Sequence, residues 1–357
     1  GGNDRLYDGK GNDTILGSAG NDYVRVGGGV DSFDGGEGTD YISYYDSSGG
    51  ITADLAKNTI SGSWGSNDAI NSFEGISGSK NGGDNIRGTS GANVIKTYGG
   101  NDRVEAGKGS DRVELGSGND YVRVGGGKET FDGGSGKDYI SYYDSKGGIR
   151  IDLRDDEVSG SWAVNDKIED FESASGSKVG NDSMLGTSGS NTLKSYGGDD
   201  TLYGRGGSDK LYGGSGNDVL QGDAGDDSLY GGSGSDTLYG GAGADYMRAE
   251  GGAESFYGGT GDDYIEIAAV VTAPFSIRGG PDDDLLLGEI GNDLLVGGNG
   301  DDKLAGGSGS DQIYAQAGED SVWGGDGRDS VHLGNGNDYY DGDGGGADTV
   351  RGLQGHD

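Results

Sequence analysis

Aspartate recurs at every ninth residue, and an apolar residue follows each copy two positions later. A first run places Asp4, Asp13, Asp22, Asp31 and Asp40 ahead of Leu6, Ile15, Val24, Phe33 and Ile42. A second holds Asp84, Asn93, Asp102, Asp111, Asp120, Glu129 and Asp138. A third runs through Asp182, Asn191, Asp200, Asp209, Asp218, Asp227, Asp236, Asp245, Glu254 and Asp263. The last takes Asp284, Asp293, Asp302, Asp311, Asp320, Asp329 and Asp338, then slips by one residue to Asp348 and Asp357. Carboxylates in this phase, set beside glycine turns that expose backbone carbonyls, make a hard oxygen donor set. Ca²⁺ accepts about six to eight such oxygens in irregular geometry, whereas Mg²⁺ demands an octahedron. Zinc and copper would need His or Cys; the chain has two His and no Cys.

The charge balance points the same way. Sixty-two acidic against 26 basic residues leave a formal net charge of −36. A nucleic-acid partner is excluded, since this field repels phosphate. One Ca²⁺ per interior repeat, on the order of 20 ions, would bring about 40 positive charges and nearly cancel the excess. No stretch approaches the roughly 20 apolar residues of a membrane-spanning helix, and collagen's strict glycine period is missing. Only 30% of residues are hydrophobic. That composition alone would suggest disorder, were it not for the periodic order.

The elements that would position these carboxylates follow from the two halves of each unit. Gly213-Gly214-Ser215-Gly216-Asn217-Asp218 permits positive φ angles and a tight turn. Val219-Leu220-Gln221 is a three-residue strand with Leu220 inward and its neighbours outward. Such strands cannot stand alone, but coiled in a solenoid each unit stacks on the one two repeats away. The expected fold is all-β: a parallel β-roll of two short-strand sheets, about 18 residues per turn, interrupted by wider β inserts. Stacked aspartates would then line each edge at about 4.8 Å intervals.

The unit Gly-Gly-x-Gly-x-Asp-x-apolar-x resembles the RTX (repeats-in-toxin) calcium-binding nonapeptide. Close copies span Gly213 to Gln221, Gly231 to Tyr239, Gly240 to Arg248, Gly258 to Glu266, Gly297 to Ala305 and Gly306 to Tyr314. The resemblance implies Ca²⁺ between consecutive turns, with the sixth-position aspartate as side-chain ligand and turn carbonyls supplying the rest. Asp209, Asp218, Asp227, Asp236, Asp245, Asp293, Asp302 and Asp311 match the unit most closely. Asn93, Asn191, Glu129, Glu254 and Asp282, which replaces a turn glycine, depart from it.

A longer repeat overlies the short one. Asp22-Tyr23-Val24-Arg25-Val26 returns 98 residues later as Asp120-Tyr121-Val122-Arg123-Val124, and Ile42-Ser43-Tyr44-Tyr45-Asp46 as Ile140-Ser141-Tyr142-Tyr143-Asp144. The expected segments are roll blocks at 1–42, 84–140, 182–264 and 279–357, β inserts at 43–83 and 141–181, and a short interruption at 265–278. The inserts read as strands of wider coils that return to the roll. Trp64 and Trp162 are expected to plug their cores, and Tyr44-Tyr45 and Tyr142-Tyr143 to put one ring in and one out. Arg25, Arg103, Arg112 and Arg123 are expected in ion pairs with outward neighbours such as Glu105 and Glu114. Tyr203, Tyr239 and Tyr257 fall on one outward row and Tyr212 and Tyr230 on the other, as a stiffening ladder.

No His-Glu-x-x-His or Gly-x-Ser-x-Gly motif occurs, and His332 and His356 make no catalytic pair. The expectation is a non-enzymatic, calcium-rigidified structural region of a secreted bacterial surface protein: an adhesin, surface layer or extracellular filament. Its partners would be calcium, with neighbouring copies of itself or cell-surface polysaccharide as further candidates. The alternative is the carrier domain of a type I-secreted toxin, protease, lipase or alginate epimerase. Both ends fall inside a repeat, so the chain is expected to belong to something longer.

Overall fold

The computed structural model describes residues 1–64, 67–163, 165–268, 272–342 and 344–354. His356 and Asp357 lie outside the described residues, within which there are strands and turns and no helix. Two compact units divide at Ser177/Lys178.

In the unit from Lys178 onward, strands stack in parallel at one coil per 18 residues, widening to 21 where Ser276–Pro281 stacks on Ser255–Thr260. One sheet carries Thr201–Gly206, Val219–Ala224, Thr237–Ala242 and Ser255–Thr260 in succession, with Leu202, Leu220, Leu238 and Phe256 in register. The other carries Thr192–Gly197, Lys210–Ser215 and Ser228–Ser233, with Leu193, Leu211 and Leu229 aligned. All seven of these core side chains are fully buried. The fold is thus a parallel β-roll.

Many strands here run to six residues rather than three. The glycine half also joins the ladder, because Asp223 and Ala224 pair with Gly241 and Ala242. This requires close backbone approach: Gly214 (φ 111°) and Gly216 (φ 128°) adopt the left-handed region, and a Cβ on either would strike the carbonyl of the preceding coil. The core is one side chain wide, so no neighbour can fill a gap left in it. Leu220→Ala should therefore destabilise the calcium-loaded roll by about 2–5 kcal/mol, readable as a lowered Tm. An unchanged Tm would contradict a continuous apolar row.

In the unit ending at Ser177 the same coils carry two insertions, and these are antiparallel hairpins rather than wider coils. Ile51–Asp54 pairs with Thr59–Gly62, and the chain rejoins the roll where Ala69–Asn71 stacks on Ser32–Asp34. The second copy repeats this with Ile149–Asp152, Glu157–Gly160 and Asp166–Glu169, the last stacking on Thr130–Gly136. Alternating apolar residues make this possible, since each hairpin buries one face (Ile51, Ala53, Ile60; Ile149, Ile151, Val158) on the roll. The two hairpins join opposite sheets. With its insert taken up between two half-turns, the 98-residue module advances the roll by nine half-turns, an odd number, so Tyr23–Arg25 lies in one sheet and its copy Tyr121–Arg123 in the other.

Trp64 and Trp162 do not plug these cores. Both are half-buried and lie against glycine turns, where a Cβ on Gly28 would sit 3.5 Å from Trp64 and one on Gly126 3.3 Å from Trp162. A core one side chain wide has no room for an indole, whereas a glycine turn offers a flat surface. Tyr44 and Tyr142 are fully buried while Tyr45 and Tyr143 are half-exposed. Arg112 pairs with Glu114 at 2.7 Å and Arg103 with Glu105 at 3.6 Å, but Arg25 and Arg123 reach Asp46 and Asp144 instead. The tyrosine rows stack, Tyr239 on Tyr257 and Tyr212 on Tyr230, each at 4.8 Å between centroids. His332 stacks on Tyr314 at 4.9 Å.

Candidate metal centres

The sixth residue of each unit ends the glycine turn and points inward, so its carboxylate is removed from water. Asp218 is 1% exposed, and the rest of its row is similarly buried. Each carboxylate has two differently placed oxygens. Oδ1 accepts the backbone N–H of the sixth residue one coil back: Asp200 donates to Asp218 at 2.8 Å, Asp218 to Asp236 at 2.9 Å, and Asp209 to Asp227 at 2.7 Å. The ladder also holds at Asp4 to Asp22, Asp13 to Asp31, Asp22 to Asp40, Asp84 to Asp102, Asp102 to Asp120 and Asp120 to Asp138. It continues from Asn93 to Asp111, Asp182 to Asp200, Asp227 to Asp245, Asp245 to Asp263 and Asp263 to Asp284. Asp284 donates to Asp302, Asp293 to Asp311, Asp302 to Asp320, Asp311 to Asp329, Asp320 to Asp338 and Asp329 to Asp348.

Oδ2 is the other half. It is buried without a hydrogen-bond partner at Asp13, Asp22, Asp31, Asp40, Asp102, Asp111, Asp120 and Asp138. The same holds for Asp200, Asp209, Asp218, Asp227, Asp236, Asp245, Asp263, Asp284, Asp293, Asp302, Asp311, Asp320 and Asp329. A buried, unpartnered carboxylate oxygen is expensive unless a proton or cation meets it. At Gly213 an added Cβ would strike Asp218 Oδ2 and lie 2.7 Å from the Gly231 carbonyl oxygen of the next coil; Gly222 stands likewise to Asp227 and Gly240. Where a unit begins with glycine, as at Gly213 and Gly222, that position leaves open a small space facing one carboxylate and one carbonyl oxygen. That donor chemistry fits Ca²⁺. Loss of water pushes the carboxyls up, to about 7 at Asp209, Asp218, Asp245, Asp263 and Asp302 and to about 8 at Asp284, against the N–H bond that lowers each.

Some residues stand apart. Asp4 is exposed. Asp84 Oδ2 accepts the Ser79 N–H at 2.9 Å, and Asp348 Oδ2 the Tyr340 hydroxyl at 2.9 Å. Asp182 is buried at the start of its row. Asn93 Oδ1 turns to the Thr89 N–H at 2.7 Å. At Glu129 and Glu254 both carboxylate oxygens are buried without a hydrogen bond; burial, and then the Asp166 carboxylate beside it, pushes the Glu129 carboxyl up, and burial pushes that of Glu254 up to about 8.

Four residues missed in the sequence carry the ladder across the insertions. Asp31 donates to Asp68 and Glu129 to Asp166, both at 2.9 Å, while Asp40 donates to Glu74 at 2.9 Å and Asp138 to Glu172 at 2.7 Å. The signal was present as Asn67-Asp68-Ala69-Ile70 and Asn165-Asp166-Lys167-Ile168, which repeat the Asn-Asp-x-apolar phrase out of phase. These two aspartates give their second oxygen to the buried tyrosines: Tyr44 donates to Asp68 at 2.9 Å and Tyr142 to Asp166 at 3.1 Å.

Asp218→Ala removes the acceptor of the Asp200 amide as well as the open oxygen, and should cost about 1–3 kcal/mol for the stranded N–H alone. Ser215→Ala removes only an exposed 3.3 Å bond to the Tyr196 carbonyl and should be nearly silent. Equal shifts in Tm for the two would contradict a ladder role for Asp218.

Among the described residues no helix is long and apolar enough to cross a membrane. No curated protein matches the chain. A family model, that of the RTX calcium-binding nonapeptide repeat (4 copies), matches residues 1–33, 24–44, 80–113, 106–140, 179–211, 203–238, 212–247, 248–266, 278–313 and 305–340. These matches cover well over half of the chain and fall on the coils that carry the aspartate ladder, so the chain belongs to the family of RTX calcium-binding nonapeptide repeats.

Proposed function

We propose that the chain is a calcium-folded structural region of a secreted bacterial surface protein, without catalytic activity of its own. The open Oδ2 rows at the coil edges carry this reading, because they pair buried acidity with a donor set suited to a divalent cation. The sixth-position aspartates with an open Oδ2 are the side-chain ligands, and about 20 ions are bound, one per such unit. Asp84 and Asp348 contribute less, since their second oxygens already hold hydrogen bonds. The tandem 98-residue module favours a surface protein built by repetition over a carrier domain serving one catalytic partner.

Antibodies against the chain, applied to intact cells of the source organism, should label the surface, and chelator should release or unfold the antigen. Recovery of the chain only in the medium, joined to a domain with hydrolytic or epimerase activity, would instead establish the carrier role. Calcium binding itself is counted by equilibrium dialysis of the full chain.

A further inference from the structure

The first position of a unit is where a side chain enters the cation space, and at most coils it is glycine or an apolar residue. Unit 8–16 begins with Asp8. Asp8 Oδ1 accepts the N–H of Gly27 on the next coil. Asp31, which is 3% exposed, accepts the Asp13 N–H at 2.7 Å. One carboxylate oxygen from each of Asp8, Asp13 and Asp31 lies within 4.8 Å of the other two. The Oδ2 atoms of all three are buried and have no hydrogen-bond partner. The 98-residue copy supplies an internal contrast: Asp8, Asp13 and Asp31 become Ala106, Asp111 and Glu129, and the buried Ala106 donates nothing.

We propose that Asp8, Asp13 and Asp31 form a three-carboxylate cation site, distinct in donor charge from the other coil edges among the described residues, that holds Ca²⁺ most tightly of these edges and favours a trivalent lanthanide over Ca²⁺ most strongly. Oxygen-donor sites gain affinity with each ligand charge, and Coulomb attraction to a third carboxylate grows in proportion to the cation's own charge. This inference rests on the calcium reading of the coil edges.

The test is terbium luminescence of the full chain, titrated against Ca²⁺ and a chelator. Wild type should keep one Tb³⁺ equivalent after the others are stripped. Asp8→Asn keeps the acceptor for Gly27 and loses one charge, so it should weaken that equivalent at least about tenfold, with the circular dichroism in saturating Ca²⁺ unchanged. Ala106→Asp should create a second tight equivalent beside Asp111 and Glu129. If Asp8→Asn disturbs folding, Ala106→Asp decides: a gained equivalent supports the site and no gain overturns it. Identical titrations for wild type and Asp8→Asn overturn this site alone, whereas a wild type that binds neither Ca²⁺ nor Tb³⁺ overturns the calcium reading as well.

Discussion

Chelation should abolish the β-type circular dichroism of the chain, and millimolar Ca²⁺ should restore it. The core explains why. Each nine-residue unit buries one large apolar side chain, such as Leu220, worth about 1.5–3 kcal/mol. Ordering the backbone of even one residue costs about 1–2 kcal/mol. Amide ladders and stacked tyrosines add to the apolar row, but the ladder itself is made of carboxylates of one sign. Without a counter-cation these rows repel along both edges of the roll, and the net charge of −36 opposes compaction as a whole. Metal binding and folding should therefore be one transition, with an expanded polyanion at submicromolar Ca²⁺. A hydrodynamic radius and spectrum unchanged after exhaustive dialysis against EDTA would refute this.

In EDTA, acid should partly replace calcium. The carboxyls of Asp218 and Asp302 stand at about 7 in the folded state, above the ordinary value near 3.9 that they have when unfolded. A raised carboxyl means that the folded state binds protons more tightly. Its stabilising contribution is therefore complete below about pH 4 and is lost as pH rises through the folded value, here across about 6 to 8. Metal-free chain should gain β-structure when taken from pH 8 to pH 5. With Ca²⁺ present the sign reverses, because protons and the cation compete for the same open oxygens, so apparent Ca²⁺ affinity should fall over that interval. Circular dichroism at fixed EDTA, and Ca²⁺ titrations at each pH, separate the two limbs. A metal-free signal that is flat or weakens on acidification would count against buried, open carboxylates.

Periodicity is the reason so much of this molecule was legible before its structure. A nine-residue phase with one apolar residue per unit allows few other folds, and it located both sheets, the inward rows and the sixth-position aspartates. Where the phase breaks, legibility fails. Asp68 and Asp166 lie 37 residues from the amide donors they serve rather than 18, so the nine-residue phase leaves them inside an insert. Trp64 and Trp162 occur once per module and carry no periodic information about which surface they meet. The unequal roles of Oδ1 and Oδ2 depend on the spacing of stacked coils, which no residue type encodes. The same holds for Asp8, whose meaning emerges only when the coil brings Asp31 beside it.

The odd half-turn that separates the 98-residue copies has a bearing on any longer array. A third copy would bring its hairpin back to the face used by the first, and a fourth to that used by the second. A tandem run would therefore set its hairpins alternately into one sheet and the other, and a binder specific for one of them would find its epitope on a given face only at every other module.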